Sequence, residues 1–554
     1  MRSPFATFHG GTKRGTLNAM FRRGEITKHF SMCGFGVMLL LGPLSAQIHA
    51  AVFDVTAYGA KGDGKTPARE GINKAVEAAA AAGGGTVYFP AGTYLTGSIR
   101  LRSRVTLQFE AGATLEASAD ASAYDEAEPN QWTQFQDFGH SHWHNSLIWG
   151  ENLENIAIVG GGLISGKALG RGDARGIGDK AIALKLCRNV TLRDFSILTG
   201  GHFGILATGV DNLTIDNVKI DTNRDGIDVD ACRNVRISNS SVNSPNDDAI
   251  VLKASYALGS ARPTESVTIV NCLVSGYDIG SMLDGTYKRT VTRAPDRDGP
   301  TGRIKIGTET VGDFRNITIS NIVFDRSRGL ALEAVDGAHI EDVAISNITM
   351  RDVSNAPIFI RLGSRQRAPE GTAIGAIRRV NISNVVVYDA DPRYASIISG
   401  IPGHDVEDVK LSGIRILYRG GITLDQVAKQ PADLVNTFFF RTTGGIPPRE
   451  PYETPEREKE YPEPSMFGML PAYGFFIRHA AGIEMSDVSM GFMREDRRPA
   501  FVLDDVKSVD FRYVKAQKVP GVPAFVLMNV ERLSIDHCEP TPDMVIDKVA
   551  RREM

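Results

Sequence analysis

The stretch from Asn223 to Lys253, NRDGIDVDACRNVRISNSSVNSPNDDAIVLK, sets acidic side chains inside a repeat. Asp225 and Asp247 are 22 residues apart, and Asp248 follows directly. Matching segments recur at nearly the same interval: NVTLRDFSI from Asn189, NLTIDNVKI from Asn212 and NVRISNSSV from Asn234, at steps of 23 and 22 residues. A fixed step of this size marks one turn of a stacked solenoid. Parallel strands in such a stack lie roughly 4.8 Å apart. Asp225 and Asp247 are therefore expected on neighbouring rungs, gathering with Asp248 into one acidic cluster. Clustered carboxyls suit acid/base hydrolysis of a glycosidic bond, since mutual repulsion keeps a proton on one of them while an ionised partner activates water.

The elements that must position these groups are short strands. Segments that alternate apolar residues with Asn, Ser or Asp begin at Asn155, Ser266, Asn316, Asp342, Arg379, Asp408, Gly482, Ser508 and Arg532. Each has the period of two expected of a strand. After Asn234 the steps become irregular, the longest being 74 residues between Asp408 and Gly482. Long steps mean insertions or whole extra turns. The expected fold is all-β: a right-handed parallel β-helix over residues 51–545, with a short helix capping its N-terminal end and a tail over 546–554. Thr66 and Pro67 read as the N-cap and first position of that helix, and Gly83-Gly84-Gly85 as its stop. GAKGDG, near Lys61, reads as a turn, because the Lys-Ser/Thr ending of a phosphate-binding loop is missing.

The 554 residues carry 62 Lys and Arg against 65 Asp and Glu, so there is no basic footprint for nucleic acid. Residues 1–50 hold six basic groups and one acid ahead of the apolar run MCGFGVMLLLGPL and a small residue at Ala50. They read as a signal segment directing the chain to a secreted or periplasmic location, with no stable membrane insertion after cleavage. The five cysteines, Cys33, Cys187, Cys232, Cys272 and Cys538, lack metal-site spacing. Cys187 and Cys232 share the context CRNV and read as buried thiols of the stack. No cofactor and no metal are expected.

In order along the chain, FDVTAYGAKGDG, NRDGID, PNDDAI and GRIKIG resemble the family 28 glycoside hydrolases, the polygalacturonase-like group of pectin-degrading enzymes. The resemblance implies hydrolysis of α-linked, galacturonate-containing pectic polysaccharide or oligosaccharide with inversion at the anomeric carbon. By this likeness Asp247 is the acid, and Asp225 and Asp248 hold the water. Two readings from other classes stand beside it: a calcium-dependent pectate lyase and a non-catalytic, glycan-binding β-helix. The family's Gly-His-Gly element is replaced here by SGYDIGSMLDGTYKR from Ser275, with Tyr277 or Asp278 near the place of the absent histidine, and Arg224 stands where the family has Thr. These departures lean toward an exo-acting galacturonidase or a rhamnogalacturonan hydrolase.

Arg303 and Lys305, at i and i+2 of a predicted strand, leave one face together and suit a sugar carboxylate. Lys253 either orients an aspartate or snorkels; it counts with Arg303 and Lys305 as a substrate-binding candidate. Asp228 and Asp230 read as turn or ladder residues. Arg289, Arg361 and Arg393 are further candidates for acidic subsites. All three tryptophans, Trp132, Trp143 and Trp149, fall in one loop with His140, His142 and His144. That loop is either a sugar-stacking subsite or a packed surface loop, and no carboxylates of suitable spacing stand near its histidines to complete a metal site. PPREPYETPEREKEYPEP, from Pro447, is expected to wall one end of a cleft.

Overall fold

The computed structural model describes residues 51–170, 178–438 and 446–554. The expected signal segment, and Cys33 with it, lies outside the described residues. The rest is an all-β, right-handed parallel β-helix with one N-terminal α-helix. Each rung contributes strands to three parallel ladders. The middle rungs show the pattern: Phe203–Thr208 pairs with Asp225–Asp230 in the first sheet, Asp211–Asp216 with Arg233–Ser238 in the second, and Lys219–Asp221 with Ser241–Asn243 in the third.

The interior is built from the inward half of each alternating strand. Leu213, Val235, Val267 and Ile317 stack through successive rungs of the second sheet. Toward the C-terminus the filling turns aromatic, with Phe501 lying on Phe525 at 4.6 Å and 6°. Corners between sheets need left-handed backbone, and Asn supplies it at low cost because its short amide tolerates that conformation. Asn155, Asn189, Asn212 and Asn234 all have φ between 55 and 58°. Each amide also donates to the one a rung earlier, at 2.9, 2.8 and 2.7 Å. A second Asn column, Asn239, Asn271, Asn321, Asn347 and Asn384, turns the next corner in the same way.

The irregular steps are insertions, not extra turns. Val409 pairs directly with Ile483 across the 74-residue step, so that step is one rung carrying a long excursion. Two boundaries differ from the sequence reading. The cap helix runs Arg69–Ala81, later than expected, while Thr66 and Pro67 close the strand Asp63–Pro67. Thr66 is already held by Asp63, which accepts from its backbone N–H and its hydroxyl, and Ala68 N still donates to Leu95 O. The chain therefore stays extended through Pro67. At the other end, the residues expected as a tail belong to the strand Met544–Glu553, which pairs antiparallel with Phe525–Asp536. Cys187, Cys232, Cys272 and Cys538 are buried free thiols, and burial raises Cys232 to about 12.

Candidate active site

The acidic groups sit on the outward face of the first sheet. In Asp225–Asp230 and Ile250–Ala254 the apolar residues Ile227, Val229, Ile250 and Leu252 fill the interior, which turns Asp228, Asp230 and Lys253 outward; Asp225, the first residue of its strand, departs from this alternation and lies 3.9 Å from Lys253 Nζ. Ile227 pairs with Ile250, an offset of 23, so Asp225 stands opposite Asp248, one residue on from the expected partner. Asp248 N–H donates to Asp225 Oδ1 at 3.1 Å. Asp247 lies in the turn leading into the strand. One oxygen from each of the three aspartates falls within a mutual distance of 4.8 Å.

Their surroundings separate them. Burial, then the charges of Asp247 and Asp228, push the Asp225 carboxyl well above the usual range. Burial acts in the same direction on Asp248, but Arg303 and Lys305 outweigh it and hold Asp248 ionised far below that range. Arg303 Nε donates to Asp248 at 2.6 Å, and Lys305 Nζ pairs with its other oxygen. The two cations do share a face, as their spacing implied. Both are buried, however, and their charge is taken up by Asp248, with Glu463 on the far side of Arg303 at 3.0 Å. Asp247 is the most accessible of the three, its side chain 30% exposed against 6% for Asp225 and 2% for Asp248. Arg224 Nε donates to it at 3.1 Å.

Lys253 neither reaches open space nor snorkels. Its ammonium lies 2.7 Å from His140 Nε2, 3.1 Å from Glu309, 3.2 Å from Asp228 and 3.9 Å from Asp225. Burial opposes its charge, but Asp228 and Glu309 prevail and keep it protonated. The same ammonium, after burial, keeps His140 neutral. Burial pushes Asp228 up to about 7 against the pull of Lys253, so Asp228 belongs to the charged cluster, not to a turn. Asp230, by contrast, is a ladder residue that accepts from Ser255 N–H and hydroxyl.

The histidine-tryptophan loop covers one side of the centre. Trp143 is buried against Ala183, Phe203 and Leu206 and donates to Thr208 Oγ1, while Trp149 stacks on His144 at 3.9 Å. Both tryptophans pack; Trp132 is half-buried with its ring edge-on to Tyr256. His140 has carboxylates within ligand distance after all, in the sets Asp137–His140–Glu309 and His140–Asp225–Asp228; Asp137 stands three residues before it in the same loop, while the others come from distant segments. Lys253 occupies the middle of that cage, which disfavours a metal there. The Tyr277 hydroxyl donates to Asp325, and Asp278 accepts from Thr290 and Val291, so among the described contacts neither takes the place of the absent histidine. Arg289 pairs with Asp325 and Asp352, Arg393 with Asp298 and Asp391, and Arg361 donates to Ser399 and to backbone carbonyls.

Past the aspartates on the C-terminal side, the outward face of the first sheet is also covered. Ala331, Phe359, Ile397, Phe476, Val502 and Val526 pack against Met466, Phe467 and Leu470 of the long excursion. The proline-rich segment expected as a wall leads into this cover. His202, Glu309 and Glu463 are site residues that the sequence reading missed, and His140, named there as part of the histidine-tryptophan loop, packs against Lys253. His202 Nδ1 lies 3.5 Å from Arg224, and burial and that guanidinium keep its ring neutral. His202 directly precedes the strand Phe203–Thr208, one rung before Asp225–Asp230, and Glu309 lies on Ile304–Thr310, the rung after Lys253, so the repeat could have flagged both; nothing in sequence spacing points to Glu463.

Comparison with known proteins agrees with this architecture. A family described as "Rhamnogalacturonase A/epimerase, pectate lyase-like" matches residues 52–158, and "Right handed beta helix region" matches 164–291. A probable polygalacturonase of Vitis vinifera is 24% identical over 402 residues, covering 67% of this chain and 75% of that protein. An exo-poly-alpha-D-galacturonosidase of Dickeya chrysanthemi is 36% identical, but over 125 residues, 21% of this chain and 19% of that one. Among solved structures, the family 28 exopolygalacturonase of Yersinia enterocolitica superposes with a TM-score of 0.58 at 17% identity, covering 85% of this chain and 79% of that one. The Thermotoga maritima exopolygalacturonase gives 0.54 at 19%, covering 67% and 88%. The chain is a pectin-lyase-like right-handed β-helix protein, distantly related to the polygalacturonases.

Proposed function

We propose that this protein is a glycoside hydrolase that removes sugars from the end of α-linked, galacturonate-containing chains. The observation that carries the reading is the opposed tuning of neighbouring aspartates: Asp225 is kept protonated and Asp248 is kept ionised within one cluster. Two titratable groups pushed apart in this way supply an acid and a base at one pH. The proton rests on Asp225. Asp247, the most accessible of the three and within one bridging water of Asp225, presents that proton to the leaving oxygen as the glycosidic bond breaks. Asp225, now ionised, and Asp248 then take the proton of the water that attacks the anomeric carbon.

Arg303, Lys305 and Lys253 act in this reading by fixing the charge of the aspartates. The carboxyls stand closer than the roughly 6.5–9.5 Å usual for inverting pairs. Asp248, held by two cations, is nevertheless a poor nucleophile, which favours attack by water and hence inversion. The same contacts disfavour a calcium-dependent lyase, because Arg303 and Lys305 engage both oxygens of Asp248 and Arg224 engages Asp247. Action at a chain end is supported by the covered first sheet, which among the described residues leaves no long open floor on either side of the aspartates.

The test is product analysis on polygalacturonate, rhamnogalacturonan and short oligogalacturonides. Expected are saturated mono- or disaccharides from the outset, formed with chelator present and with inverted anomeric configuration by proton NMR. Unsaturated, ultraviolet-absorbing products with a calcium requirement would establish the lyase, and early products of mixed length would rule out action at the end.

A further inference from the structure

The hydrolytic reading leaves open where the rest of a long substrate goes, since the outward face of the first sheet is covered on both sides of the aspartates. A cavity of about 640 Å³ lies on the neighbouring rim, where the third sheet turns into the first. We infer that this cavity is a second carbohydrate site that holds the acidic chain beyond the bond being cleaved; the inference rests on the hydrolytic reading above.

Three observations support it. The first is position. Gly299 and Pro300 line the cavity, and the next two residues brace the catalytic turn: Thr301 N–H donates to Pro245 O and Gly302 N–H to Asp247 O, each at 3.0 Å. One loop thus serves as both cavity wall and support for Asp247.

The second is charge. Six arginines line the space, and three of them are already committed: Arg326 to Asp352, Arg393 to Asp298 and Asp391, and Arg419 to Asp352 and Asp389. Arg293, Arg297 and Arg494 are exposed and have no carboxylate partner among the described residues, while the one lining acid without such a pair is Asp433. Arg494 also donates to Gly420 O at 3.2 Å, and the exposed guanidinium groups of Arg293 and Arg297 on the rim fit a ligand that carries a carboxylate on each sugar.

The third is continuity. From Asp248 a buried path runs through Arg303 to Glu463, from Glu463 to Asn355 at 3.0 Å, from Asn355 to Asp298 at 3.1 Å, and from Asp298 to Arg393 at 2.6 Å. The cavity wall and the catalytic carboxylate are parts of one rigid network, which fixes the register between a bound chain and the bond to be cut.

The double variant Arg293→Ala/Arg297→Ala tests this. Turnover and KM on digalacturonate should match the parent, while KM on long polygalacturonate rises about tenfold and loses much of its salt dependence. Equal KM values for the two proteins on the long chain would overturn the inference. Direct titration separates it from the catalytic reading. Long oligogalacturonide is titrated into Asp247→Asn protein with and without the two Arg substitutions, with a neutral oligosaccharide of equal length as control. Charge-selective binding that weakens with the substitutions supports the cavity site even if no hydrolysis is ever found. Absent or unchanged binding overturns it, even if hydrolysis is observed.

Discussion

Asp225 and Asp248 are adjacent across one ladder, yet they end in opposite protonation states because only Asp248 meets two cations. Asp247→Asn should leave the thermal unfolding curve in place, since the side chains are nearly isosteric. Its turnover should fall about a hundredfold or more, which steady-state kinetics beside a melting curve would show; a folded variant with near-normal turnover would remove Asp247 from the mechanism. Lys305→Met tests the base. The depressed Asp248 value means that its stabilising and catalytic charge is present above the ordinary carboxylate range and is lost as pH falls through the folded value. Removing one of its two cations should move the acid limb of the turnover profile to higher pH and leave the alkaline limb, set by loss of the Asp225 proton, where it was. If Lys305 instead gripped substrate, KM would rise with no shift of the acid limb. The aspartates were legible in sequence because a solenoid turns linear spacing into proximity. The roles of His140 and Glu463 were not, because these residues approach from segments 113 residues before Lys253 and 160 beyond Arg303, where spacing carries no information; Glu309 lies on the neighbouring first-sheet strand Ile304–Thr310, but the insertion between that strand and the strand of Lys253 stretches their separation to 56 residues and obscures the repeat.

The strands starting at Asn189, Asn212 and Asn234 were legible for a different reason: they belong to the second sheet, where one face is solvated and the apolar alternation is clean. The first sheet, which carries the site, is covered on both faces, and strands such as KAIALK and FGILAT read as unbroken apolar runs with no period. The start of the cap helix was misplaced because Thr66 looks like a cap and is instead the partner of Asp63. The Asn columns allow a sharp comparison. Asn212 accepts from Asn234 and donates to Asn189 at φ 58°. Asn212→Gly and Asn212→Ala lose the same two bonds, but only Ala must pay the left-handed conformation, about 1 kcal/mol. Urea denaturation should therefore rank Gly above Ala, the reverse of the order expected inside a strand; equal midpoints would mean that the corner costs nothing.

At the scale of the whole molecule, stability is distributed along the stack, with each rung lying on its neighbours, and function is concentrated where loops from both directions converge on the first sheet. The ends of the stack are treated differently from its middle. At the N-terminal end the helix Arg69–Ala81 packs Ile72, Ala75 and Val76 into the core. At the other end Met544–Glu553 reverses direction against Phe525–Asp536 and carries Asp547, Lys548, Arg551 and Arg552, all exposed. A parallel final strand would expose a rail of backbone donors and acceptors in the register that another molecule's rung can extend, a self-templating edge. The reversed, charged strand withholds that template. Removing residues 544–554 should therefore convert a dispersed protein into one that grows end to end, with light scattering that rises with concentration and time while the rungs themselves keep their β-sheet circular dichroism.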